Sequence, residues 1–154
     1  MSTSDLALKC NEDASVEGTL TLEHRRKGEL LLERVMPNME MDLYKALRAN
    51  LRIGSGTAPS HIALGTGTTE EAVDDEAMEE EVDRQAATRS RTTITVDDDA
   101  SQYTYTFTLA DDTEVSEAGL LNALADGTLC YHRVFAPIPT LEDDTLKVTW
   151  RSQS

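Results

Sequence analysis

The chain has 154 residues, with 29 Asp or Glu against 14 Lys or Arg, for a formal net charge of −15. That balance argues against nucleic-acid binding, which wants a basic stripe, and no run approaches the ~20 apolar residues needed to cross a bilayer. Hydrophobic residues make up 39% and aromatics 5%, so the length predicts one domain around a modest aliphatic core.

Only four of the cations are lysines: Lys9, Lys27, Lys45 and Lys147. Low lysine with abundant Asp, Glu and Thr is the pattern of a protein working in near-molar salt. There the Debye length is about 3 Å, which screens carboxylate repulsion. A halophilic origin is therefore expected. The N-terminus, Met1-Ser2-Thr3-Ser4-Asp5, has neither the basic nor the apolar part of a secretory signal, which predicts a soluble chain not exported by a cleaved leader. Residues 1–14 lie outside the strand pattern and read as an N-terminal arm. Residues 15–154 read as a single β-rich domain.

Taken in order, Val16 to His24 and Glu29 to Val35 flank the turn Arg25-Arg26-Lys27-Gly28. Alternation around a glycine turn predicts a β-hairpin with a solvated basic tip. Asn38 is placed to cap a helix over residues 39–51, whose apolar face would be Met39, Leu43, Leu47 and Leu51. Ile62-Ala63-Leu64 then reads as a short strand entering Gly65-Thr66-Gly67-Thr68-Thr69. A phosphate cradle would need a lysine after its last glycine. Here Glu70 and Glu71 follow and would repel a polyanion, so the loop reads as a tight turn.

Nine carboxylates fall within residues 70–83. They lack the alternating ligands and glycine of a calcium loop, and predict a solvated face with a short helix around 76–82. The C-terminal half alternates most clearly. Thr92 to Val96 predicts a strand, followed by a turn at Asp97-Asp98-Asp99. Tyr103, Tyr105, Phe107 and Leu109 share one face of the next strand, with threonines on the other. Val115 to Leu121 leads through Asp126-Gly127 into Leu129 to Phe135, which Pro137 and Pro139 should break. Glu142-Asp143-Asp144 turns the chain into Leu146, Val148 and Trp150. The sum is a mainly β fold, an antiparallel β-sandwich or barrel-like sheet with one short helix.

Candidate chemistry is thin. Period two puts Cys130 and His132 on one strand face, where a thiol and an imidazole invite a nucleophile or a metal. Both sit mid-strand in an apolar run without an activating neighbour. Cys10 and Cys130 make no metal or redox spacing and read as reduced and at least partly buried, with a disulfide between them the alternative. No catalytic, cofactor or metal set is expected, and the chain is not read as an enzyme. A small hydrolase built on Cys130 and His132 is the weakest reading.

The ordered signals resemble a family of small structural proteins of tailed viruses. The resemblance rests on Asn38, on Ile62-Ala63-Leu64-Gly65-Thr66-Gly67-Thr68-Thr69, and on Met78 with Glu81-Val82 and Arg84. It continues through Ser116-Glu117-Ala118-Gly119-Leu120-Leu121, Phe135-Ala136-Pro137-Ile138 and Leu146-Lys147-Val148-Thr149-Trp150. It covers about Val16 to Trp150, with Met78 and Leu121 standing where leucine and phenylalanine are usual.

The resemblance implies a non-enzymatic virion part on tail, baseplate, fibre or capsid exterior, from a virus of a halophilic, archaeal host. Its partners would be copies of itself and other virion proteins, with neither nucleic acid nor membrane. Gly65, Gly67, Arg84, Glu117, Gly119 and Trp150 are expected to serve as turn and core. Glu117 and Arg84, each in an apolar or small neighbourhood, are expected to pair. The alternative is a receptor- or carbohydrate-binding β-module at a fibre or capsid tip, with Tyr103, Tyr105, Tyr131 and Trp150 as its contact aromatics.

Overall fold

A computed structural model describes residues Gly18 to Gln153, apart from Thr95 and the side chain of Gln153. The expected N-terminal arm and Cys10 lie outside the described residues. The chain runs β1 (Gly18–Arg26), β2 (Glu29–Pro37), α1 (Asp42–Arg52), β3 (His61–Gly65), β4 (Glu81–Ala86) and β5 (Thr88–Thr92). It continues as β6 (Ala100–Thr108), β7 (Thr113–Leu121), β8 (Leu129–Thr140) and β9 (Thr145–Gln153). All strand pairs are antiparallel and form two sheets, ordered β2-β1-β9-β6-β5 and β4-β3-β7-β8. Among the described residues the fold is a β-sandwich with one short helix.

Alternation builds the core. Leu20 and Leu22 of β1, Leu146, Val148 and Trp150 of β9, and Tyr103 and Phe107 of β6 face Ile62, Leu64, Ala118, Leu120 and Tyr131 of the other sheet. The first turn works as its sequence suggests: Lys27 and Gly28 both adopt left-handed backbone (φ 53° and 83°). That conformation matches the twist of a two-residue hairpin. Tyr131 stacks on Trp150 at 5.5 Å and meets Tyr44 of α1 edge-on at 5.3 Å, so one aromatic column joins both sheets and the helix.

Six expectations are corrected by the structure. The helix starts at Asp42, not at residue 39, because residues 39–41 lie extended along the free edge of β8. There the Met41 amide donates to Cys130 O (2.9 Å) and the His132 amide to Met39 O (3.3 Å). Asn38 does not cap the helix, and its side-chain amide donates instead to Arg151 O (2.8 Å). With the start shifted, Tyr44 and Leu47 become the buried face and Leu43 is exposed.

Residues 76–82 form no helix; 66–80 are a loop that runs into β4. The expected strand over 92–96 is displaced to Thr88–Thr92, and the Asp99 carboxylate gathers the amides of Ile94 (2.8 Å) and Val96 (3.1 Å) into a turn. Pro137 and Pro139 do not break β8. It is an edge strand, where a missing N–H costs no ladder bond.

Only Ala87 separates β4 from β5, so one bent stretch carries the chain from an edge of the four-stranded sheet to an edge of the five-stranded one. The outer face of the four-stranded sheet is not left bare. Ala63, Leu121 and Leu129 there pack with Met41, and with the half-buried Met39 and Met78. The loop 66–80 that carries Met78 over this face is where the resemblance motifs meet.

Candidate functional site

Glu117 lies on β7 with no solvent exposure. A carboxylate placed there must be fully hydrogen-bonded to be tolerated. Its Oε1 accepts the backbone N–H groups of Gly67 (3.0 Å) and Glu80 (2.7 Å), and its Oε2 accepts that of Glu79 (3.1 Å). The fourth partner is His132 on β8, with Nε2 2.7 Å from Oε2. The His132 Nδ1 sits 2.8 Å from Asp75 Oδ2. Asp75 in turn accepts the Ala72 amide (3.0 Å). One buried acid therefore ties both ends of the 66–80 loop to the sheet, and one histidine ties its middle.

This arrangement gives the two glycines of Gly65-Thr66-Gly67 a specific task. A Cβ at Gly65 would lie 2.5 Å from Glu117 Oε1 and from Glu80 O, and one at Gly67 would lie 2.6 Å from Oε1 and from the Glu79 side chain. The loop can close over the carboxylate only where side chains are missing. Ser116 adds a hydrogen bond from its hydroxyl to Gly67 O (2.6 Å). Gly119 leaves the space that Met78 fills, since a Cβ there would be 2.6 Å from the thioether sulfur.

Glu117 does not pair with Arg84, contrary to expectation. Arg84 forks onto Glu81 (2.7 and 2.8 Å), and its Nη1 donates to Ala123 O (3.0 Å) and Asp126 O (2.9 Å). It anchors β4 to the β7–β8 turn. The acid was satisfied by backbone donors first, which leaves the guanidinium for carbonyls. Trp150 is fully buried in the main core, away from this cluster. The acidic segment is not simply a solvated face. Besides Asp75, Glu79 accepts the Thr69 amide (2.9 Å) and hydroxyl (2.8 Å), and Glu71 accepts the Val134 amide (2.5 Å) on the β8 edge.

The electrostatics follow. Burial alone would raise the Glu117 carboxyl, but the His132 hydrogen bond and three amides outweigh it and bring it down to about 2. Burial would lower the His132 imidazole, yet its bonds to Glu117 and Asp75 raise it above its ordinary value. With carboxylates on both ring nitrogens, His132 acts as a double donor. It has no lone pair left for a base or a metal. A shallow hollow of about 190 Å³ is lined by Thr69, Glu70, Asp75, Ala77, Glu79 and His132.

Cys130 and His132 do not share a face. The β7–β8 register steps from Leu121↔Leu129 to Leu120↔Tyr131, so Cys130 is an extra residue at a bulge. Cys130 joins the inner core, where burial first and then Glu40 push its thiol up to about 12. His132 points to the outer face. Cys130 is a free thiol. Among the described residues no group of three or more His, Cys, Asp or Glu could hold a metal ion, and no helix is long and apolar enough to cross a membrane.

Asp75, Glu79 and His132 are the cluster members that sequence reasoning did not place with Glu117. A signal existed for His132: across the Asp126-Gly127 hairpin it pairs with Gly119, two residues from Glu117 on the same face. No family model, curated protein or solved structure matches this chain.

Proposed function

We propose that the protein is a non-enzymatic structural part of a tailed virus of a halophilic host, assembling as a symmetric oligomer on the tail, baseplate, fibre or capsid exterior. One observation carries the reading. Of the residues of the resemblance in this region, Gly65, Gly67, Met78, Glu81, Arg84, Glu117 and Gly119 are spent on fastening the 66–80 loop and β4 to the sandwich, while Thr68 and Val82 are exposed. Pattern residues that build a scaffold rather than a reactive centre fit a part selected for shape. The acidic, lysine-poor surface fits a particle that remains soluble in brine.

The receptor- or carbohydrate-binding alternative draws no support from the aromatics. Tyr103, Tyr131 and Trp150 are buried and Tyr105 is half-buried, so none offers an open ring for a sugar. The test is mass spectrometry of particles purified from an infected halophilic culture, joined to light scattering of the isolated protein in molar salt. The reading expects the chain in the particle at a copy number set by symmetry, and a defined oligomer in solution. Absence from particles together with a strict monomer at every protein concentration would sink it.

A further inference from the structure

The cations of this chain are outnumbered two to one, and most arginines have found an acid or a carbonyl. Four do less well, Arg52, Arg89, Arg91 and Arg133, and of these Arg89 and Arg91 lie together on β5. Their cross-strand partners are Tyr103 and Ser101, so both point with Tyr103 toward the inner side of the sheet at its open edge. Together with Pro59 they line a groove of about 400 Å³. Arg89 reaches only Pro59 O, at a long 3.4 Å. Among the described residues neither guanidinium has a carboxylate partner. Both are exposed. The His61 imidazole, lowered first by burial, is lowered further by Arg84 and Arg89, which marks the region as electropositive.

On the far edge of the other sheet, the loop fastened by Glu117 and His132 carries Glu70, Asp74 and Glu76. All three are exposed, and none has a hydrogen-bond or ion-pair partner among the described residues. The loop docks on β8, whereas the groove lies at β5, which continues β4, and β4 and β8 are the two opposite edges of their sheet. The basic groove of one molecule therefore cannot take its own acidic crest.

We propose that the Arg89–Arg91 groove receives the Glu70–Asp74–Glu76 crest of a second copy, a head-to-tail contact that deepens and rests on the assembly reading above. A contact between two different surfaces propagates, closing as a ring or extending as a filament. Planar guanidinium forks match carboxylates bidentately. Contact pairs partly shielded from solvent are screened much less than exposed ones, so they persist in brine while the long-range repulsion between acidic copies is suppressed.

The test uses two charge-reversal variants of the full chain in molar potassium chloride: Arg89→Glu/Arg91→Glu, and Glu70→Lys/Asp74→Lys/Glu76→Lys. All five positions are exposed, so circular dichroism should show each variant folded like wild type. Light scattering should show wild type associating and each variant alone weakened on the order of tenfold or more in dissociation constant. Mixing the two variants should restore association, as alternating assemblies with an even number of copies, because each reversed surface then meets its complement. If wild type assembles and both variants assemble equally well, or if mixing restores nothing, the groove assignment falls while the assembly reading stands. If wild type remains monomeric throughout, both fall.

Discussion

Glu117 and Asp144 are both nearly removed from solvent, at 0% and 2% exposure, yet their partners differ in kind. Glu117 is held by three backbone amides and a histidine. Asp144 is held mainly by side chains: a bidentate Arg26 (2.9 and 2.9 Å) and His24 (2.8 Å), with the Leu141 amide (2.8 Å). The first clamps a long loop onto a sheet. The second joins the β1 end of the basic hairpin to the turn before β9. Their neighbours differ too, since the Arg26 side chain is 39% exposed and can turn to water, whereas three of the four donors to Glu117 are backbone amides, which cannot swing away as a side chain can.

That difference ranks the expected effects of mutation. Glu117→Gln should be the most damaging, because it places an NH₂ among N–H donors and leaves His132 with half its support. Denaturant unfolding should show a loss of about 3–5 kcal/mol, and a change below ~1 kcal/mol would mean the clamp is not strongly coupled to the fold. Gly67→Ala attacks the same clamp from the loop side, where the added methyl must displace Glu117 or Glu79. It should cost about 1–3 kcal/mol, and should not add to Glu117→Gln in the double mutant. Asp144→Asn should cost about 1–2 kcal/mol, since the exposed arginine recovers solvation. Equal penalties at 117 and 144 would erase the distinction between backbone-held and side-chain-held acids.

Acid probes both carboxylates. The Glu117 carboxyl is depressed to about 2 from an ordinary 4.5, so its stabilisation is present above 4.5 and is lost as pH falls toward 2. Asp144 is also depressed, and acid therefore titrates both clamps. On the alkaline side the Glu117 clamp is read through His132. The raised His132 contributes stability that is complete below its ordinary 6.5 and is lost as pH rises through its higher folded value. Wild type should lose stability above neutrality more steeply than His132→Gln, and parallel profiles would assign the histidine no titrating role.

The same contrast explains what the sequence made legible. β6, β9 and both hairpin turns were readable because side-chain alternation and Lys27-Gly28 or Asp126-Gly127 encode them directly. The fate of Glu117 was not, because backbone amides belong to every residue and leave no mark in composition. The pairing of Glu117 with Arg84 was a reasonable expectation for two lone charges, and failed for that reason. The Cys130 face was misassigned because one bulge residue reverses a period-two argument. The helix start is not legible because residues 39–41 pair with the β8 edge and the Asn38 side chain bonds Arg151 O instead of capping.

Glu117 holds residues 66–80 in place. Amide hydrogen exchange reads this residue by residue. In wild type the Gly67, Glu79 and Glu80 amides should exchange as slowly as the β7 core. In Glu117→Gln they should speed up well before the β1–β9 amides do. Fast exchange at these three amides in wild type, or no local change in the variant, would contradict it.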